Sequence, residues 1–128
     1  MVTEQAEVRE LKENRYMVID DEPCKIMSIS TSKPGKHGEA KARIEAIGLF
    51  DGSKRSVVYP VKHKVLVPII DKRKAQIISI EGGEANLMDL DTYEMFHLPI
   101  PDDLKDSMHP GEEIQYMIAM DRKKITRV

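Results

Sequence analysis

The sequence predicts an all-β protein made of two small barrels, on three observations. Short runs of β-forming residues with period-two alternation recur along the whole 128-residue chain. Turn-forming pairs such as Asp51-Gly52 and Gly82-Gly83 punctuate them. No long helical period competes, because residues 4–13 hold too few apolar positions to bury a stripe. Many short strands are expected to curl into closed or nearly closed barrels, which leave few exposed edges. One barrel of 128 residues is possible, but a change of charge and Pro68 favour two small ones joined near residues 69–72, giving domains 1–69 and 70–128.

In chain order, Tyr16–Ile19 is the first expected strand, ended by the turn-prone Asp20-Asp21-Glu22-Pro23. Residues 24–31 follow, with Cys24, Ile26, Ser28 and Ser30 expected on one face and Lys25, Met27, Ile29 and Thr31 on the other. Residues 32–38, rich in Ser, Pro and Gly, read as a loop. In residues 40–50 Ala42, Ile44 and Ala46 face one way and Lys41, Arg43 and Glu45 the other. Residues 56–61 and 64–70 complete the first set. A second set begins with residues 74–81 and turns at Gly82-Gly83. It continues through 84–90, 92–98, 113–120 and 125–128, with Ile114, Tyr116, Ile118 and Met120 sharing a face. Residues 99–110 are expected to be irregular, with one helical turn at 102–106.

Composition narrows the function. At 41% hydrophobic and 33% charged residues the chain is globular. Its apolar runs are too short to cross a bilayer, and no apolar stretch opens the chain as an export signal would. Cys24, the lone cysteine, fits a reducing cytoplasm and reads as a small buried hydrophobe. The net charge of −2 conceals an asymmetry. Residues 1–68 carry 12 bases and 10 acids, whereas 69–128 carry 8 bases and 12 acids. Residues 23–68 alone hold 9 bases against 3 acids, so the first half is the better contact for a polyanion. His37, His63, His97 and His109 are scattered with no metal-ligand spacing, and no nucleophile motif is present. Tyr93, Phe96 and Tyr116 are able to stack bases, but core packing is the expected role for most of them.

The unusual segment is Ser30-Thr31-Ser32-Lys33-Pro34-Gly35-Lys36-His37-Gly38-Glu39-Ala40-Lys41. Gly35 and Gly38 flank Lys36-His37 and permit sharp turns on both sides. Pro34 fixes its own φ and keeps Lys33 extended. The expected result is a narrow loop with Lys36 at its tip and Lys33, Lys41 and Arg43 adding positive charge, which suits phosphate contact. A nucleotide loop is excluded, since His37 stands where that motif needs Ser or Thr. On composition alone, a solvated hairpin loop whose lysines only keep the protein soluble is the favoured explanation of the segment.

This run is similar to the signature of the translation factor 5A family, Ser-Thr-Ser-Lys-x-Gly-Lys-His-Gly-x-Ala-Lys. Pro23-Cys24-Lys25-Ile26 and the region of Phe50, Gly52, Lys54 and Arg55 also resemble it. The likeness runs more loosely through the rest of the chain. It implies an SH3-like barrel followed by an OB-type barrel. It also implies that Lys36 is modified from spermidine by deoxyhypusine synthase to deoxyhypusine or hypusine, with no other cofactor and no enzymatic activity. The implied partners are the ribosome, with its rRNA, and the acceptor end of the peptidyl-tRNA. Lys33, Pro34, Gly35, His37, Gly38, Lys41 and Arg43 are the implied contact residues around Lys36. Pro34 and Glu39 depart from many eukaryotic members and look archaeal; the bacterial counterpart, elongation factor P, has a third domain for which this chain lacks length. The rival reading is a general RNA-binding module acting through the basic loop.

Overall fold

The computed structural model describes residues 2–33 and 38–128. Its strands are β1 (Thr3–Glu7), β2 (Tyr16–Ile19), β3 (Glu22–Ser32), β4 (Lys41–Gly48), β5 (Lys54–Pro60), β6 (Lys64–Pro68), β7 (Asp71–Glu81), β8 (Glu84–Asp89), β9 (Met95–Pro99), β10 (Glu113–Ala119) and β11 (Arg122–Arg127). One 3-10 turn, Val8–Glu10, follows β1. The architecture is all-β in two compact units, Met1–Ile69 and Ile70–Val128.

In the first unit β2, β3, β4 and β5 form an antiparallel meander, and β1 pairs with β6. The alternation of β4 is realised: Ala42, Ile44 and Ala46 are buried while Lys41, Arg43 and Glu45 are exposed. Ile44 is fully buried, worth ~1.5–3 kcal/mol of transfer free energy. Met17, Ile19, Cys24, Ile26, Val8 and Val65 pack into the same core. Segment 4–13, expected to lack regular structure beyond a weak helical period, instead supplies β1, registered from Thr3↔Pro68 to Glu7↔Lys64. The strand is mostly polar, so backbone pairing holds it rather than an apolar face. The chain is then pinned by hydrogen bonds from Val8 N–H to the His63 carbonyl and from Arg9 N–H to the Val61 carbonyl.

One expectation for β3 fails for a definable reason. Its register against β4 slips between Ile26 and Ser28, so Met27 is an inserted residue. A bulge of this kind reverses the alternation beyond it. Cys24 and Ile26 face the core, but Ser28 and Ser30, expected on the same face, are exposed, and Ile29 packs against the core in their place.

The second unit is a five-stranded antiparallel sheet in the order β11-β10-β7-β8-β9. It carries the same device: β7 slips against β8 between Ile77 and Ser79, leaving Ile78 exposed and turning Ile80 to the core. The sheet curls until its two edge strands approach. Lys123 of β11 reaches Glu94 at 2.7 Å and sits 4.3 Å from the centre of the Phe96 ring on β9. Residues 102–107 are successive turns closed by Leu104 N–H to Pro101 O and Ser107 N–H to Leu104 O, not the expected helical turn. Three two-residue hairpins have both central residues at positive φ: Asp20-Asp21, Gly82-Gly83 and Met120-Asp121. This is the backbone that matches strand twist. Methionine in that conformation is unusual, and the strand expected over 113–120 ends at Ala119 instead.

Candidate functional site

Antiparallel pairing of β3 with β4 runs out to Ser32↔Lys41, so residues 33–40 form the connection between two paired arms. The Val61 N–H donates to the Ala40 carbonyl at 3.0 Å and ties the base of that connection to the end of β5. Pro34, Gly35, Lys36 and His37 lie outside the described residues, so the expected tip and its lysine do too. Lys33, Gly38, Lys41 and Arg43 are described. Lys33 is exposed where β3 ends, and Gly38 is half-buried. Lys41 stands between Ser32 and Pro60, and Arg43 between Ser30 and Val58. Both cations are exposed on one face of β4, about 7 Å apart along the strand. Glu45 draws Arg43 into a 3.4 Å ion pair that is largely solvent-exposed and so weak. The bulge at Met27 places the hydroxyl-bearing Ser28, Ser30 and Ser32 beside Lys41, Arg43 and Glu45 on this outer face. Period-two reading along β3 missed that row.

The opposite end of β4 is tied by a side-chain ion pair. Arg55 forks onto Asp51, its two terminal nitrogens lying 3.1 and 2.8 Å from the two carboxylate oxygens, while Ser53 N–H donates to Oδ1 at 2.9 Å. The Arg55 hydrogen bonds, followed by that N–H, hold Asp51 down at about 2. Gly48 makes room for the fork, since a Cβ there would lie 2.0 Å from Asp51 Oδ1. Cys24 is buried beside this region, and burial pushes its thiol up, which leaves it inert as a nucleophile.

In the second unit the buried polar group is Asp89, 1% exposed. Its Oδ1 accepts from the Asp91 and Thr92 N–H groups at 2.8 and 2.9 Å. Its Oδ2 accepts from the Tyr116 hydroxyl and lies 3.9 Å from Arg73. Burial alone would raise the carboxyl, but the Tyr116, Thr92 and Asp91 donors more than offset it and bring Asp89 to about 2. Burial and the Asp89 carboxylate together push the Tyr116 hydroxyl well above its ordinary value. Phe96 packs on Tyr116 with ring centres 4.9 Å apart, whereas Tyr93 is 69% exposed. His63 stacks on Tyr59 at 4.5 Å, and His97 is exposed. Among the described residues no set of three His, Cys, Asp or Glu side chains is arranged to hold a metal ion. Among them, too, no helix is long and apolar enough to cross a membrane.

Two family models cover nearly all of the chain. Residues 2–63 match "Translation initiation factor 5A-like, N-terminal", and residues 69–128 match "Eukaryotic elongation factor 5A hypusine, DNA-binding OB fold". The chain belongs to the translation initiation factor 5A family. A family relative from Archaeoglobus fulgidus, "Translation initiation factor 5A", is 58% identical over 125 residues, covering 98% of each chain. One of the same name from Thermoplasma acidophilum is 57% identical over 98% of this chain and 97% of its own. Among solved structures, "Eukaryotic translation initiation factor 5A from Methanococcus jannaschii" superposes with a TM-score of 0.92 at 49% identity, covering 98% of this chain and 93% of that one. The second unit is thus the family's OB fold, and the family is one of translation factors rather than of a known enzyme class.

Proposed function

We propose that this chain binds the ribosome in the cytoplasm and works through Lys36, carried as deoxyhypusine or hypusine. The observation that carries this reading is the segment from Ser30 to Lys41, set between two hydrogen-bonded arms whose last pair is Ser32↔Lys41. The description of the family's second domain names hypusine, which supports it. Transfer of an aminobutyl group from spermidine to Lys36 Nζ, by deoxyhypusine synthase, lengthens the side chain and adds a second amine. Such a side chain enters a crevice too narrow for the curled sheet. It contacts the acceptor end of the peptidyl-tRNA and promotes peptide-bond formation at stalling sequences such as consecutive prolines. Proline lacks an N–H and has a fixed φ, so its geometry profits from external positioning. The ribosome performs the chemistry and this chain supplies orientation. Lys33, Lys41 and Arg43 meet rRNA or tRNA phosphates, and Pro34, Gly35, His37 and Gly38 shape the approach of Lys36.

Protein from its native source should carry the added mass on the peptide containing Lys36, with Lys33 unmodified. Lys36→Arg keeps one charge but does not accept the aminobutyl group. It should bind generic RNA about as well as the parent, because that binding sums over several cations. In a reconstituted translation system it should fail on a message with consecutive prolines and match the modified parent on a proline-free message. Equal activity of the two proteins on both messages would leave the general RNA-binding module as the better account.

A further inference from the structure

OB folds take oligonucleotides on the outward face of their second and third strands, through cations and aromatic rings. Here those strands are β8 and β9, and the face is built for something else. Residues 75–104 contain no lysine or arginine and seven carboxylates, in a chain with 20 bases. Ala75, Ile77, Ala85, Leu87 and Leu98 point to the core, so the cross-strand pairs Met88↔Met95 and Asn86↔His97 point away from it. The β7 bulge adds Ile78 to the same side. Ile78 is 44% and Met95 56% exposed, and Met88 is half-buried between their strands. Beyond them, Asn86 and His97 in the next row and Glu81 and Glu84 in the one after line a shallow depression of about 190 Å³.

We propose that the outward face of β8 and β9 is a protein-docking surface whose occupant is an extended basic segment of a partner protein. A lysine or arginine of that segment enters the depression between Glu81 and Glu84. An apolar side chain four residues away covers Ile78, Met88 and Met95. Successive rows on the face are about 7 Å apart, the spacing of alternate side chains in an extended chain, so the two contacts, two rows apart, fall four residues apart in the partner. The two methionines adapt to varied apolar shapes. Charge complementarity selects the class of occupant: a phosphate backbone laid across Glu81 and Glu84 meets two carboxylates, whereas a basic peptide finds both of them and an apolar strip. This surface makes no use of Lys36 and extends the role of the chain beyond its loop.

The test is amide NMR of the full-length chain at about 0.15 M salt. The probes are a short peptide with leucine four residues from lysine and serines between them, a lysine–serine peptide of equal length that lacks the leucine, and oligouridylate. The lysine–leucine peptide should shift Glu84, Asn86, Met88, Met95 and His97 saturably, and the lysine–serine peptide should bind several-fold more weakly. Oligouridylate should leave these amides in place. Glu81→Lys with Glu84→Lys, two exposed substitutions, should weaken the lysine–leucine peptide about tenfold. Shifts of these amides by the RNA would overturn the proposal in favour of a nucleic-acid surface. Equal binding of the two peptides, shifts confined to other regions, or an unchanged affinity in the double variant would overturn it as well.

Discussion

Replacing Tyr116 by Phe removes one oxygen and leaves the ring in place against Phe96, so its effect isolates the hydrogen bond to Asp89. Without the hydroxyl, Asp89 Oδ2 loses that donor, and Arg73 at 3.9 Å is beyond hydrogen-bond range and does not replace it. A hydrogen bond to a charged group contributes roughly 1.5–3 kcal/mol, and a buried acceptor stripped of its donor carries its desolvation cost uncompensated. The lowered carboxyl of Asp89 points to the same order of magnitude. Its fall from the ordinary 3.8 to about 2 corresponds to ~2 kcal/mol favouring the ionised form, of which Tyr116 is the largest favourable contributor. Tyr116→Phe is therefore expected to cost about 2 kcal/mol near pH 7. For a unit of this size that lowers the melting temperature by roughly 8–16 °C. The pH dependence has a definite sign. A carboxyl depressed in the folded state adds stability above about pH 4 and loses it as pH falls from 4 towards 2. The gap between parent and variant should accordingly narrow over that window. Urea unfolding followed by far-UV circular dichroism at pH 7, 4 and 2.5 measures it. A gap under ~0.5 kcal/mol at pH 7, or one that stays constant to pH 2.5, refutes the assignment of Asp89 as an ionised acceptor of the Tyr116 proton.

Two further predictions concern the architecture. Gly48→Ala should lower the melting temperature because its Cβ collides with the Asp51–Arg55 fork, and the loss should be smaller in an Asp51→Ala background, where the obstructing carboxylate is gone; additive effects in this double-mutant cycle would show that the collision is not the cause. A fragment spanning residues 70–128 should fold alone, with dispersed amide resonances and a β-type circular dichroism spectrum, because its core is formed within that span; a disordered spectrum would mean that the first unit is required for its fold.

Much of this protein is determined by its sequence alone, where the signal is local. The pattern Ala42, Ile44, Ala46 against Lys41, Arg43, Glu45 marks the buried and solvated sides of β4, because period two maps directly onto the pleat. Gly82-Gly83 marks its hairpin because glycine accepts the positive φ both positions adopt. The loop is legible through its signature, which brings Lys36 to notice although periodicity says nothing about it. The tertiary structure decided what depends on distant partners. Nothing in Ile26-Met27-Ser28-Ile29 or Ile77-Ile78-Ser79-Ile80 announces an inserted residue. The bulges arise when each long strand is paired with its neighbour, and they alone move Ser28 and Ser30 to the outer face and bring Ile29 and Ile80 to the cores. β1 is a strand because β6, some sixty residues later, offers it a ladder. Asp89 reads in sequence as one more acid near a turn; it is buried and ionised because Tyr116, 27 residues away, turns its hydroxyl onto it. Apolar spacing and turn chemistry are properties of neighbouring residues, whereas register and the satisfaction of buried charge are settled between residues that only the folded chain brings together.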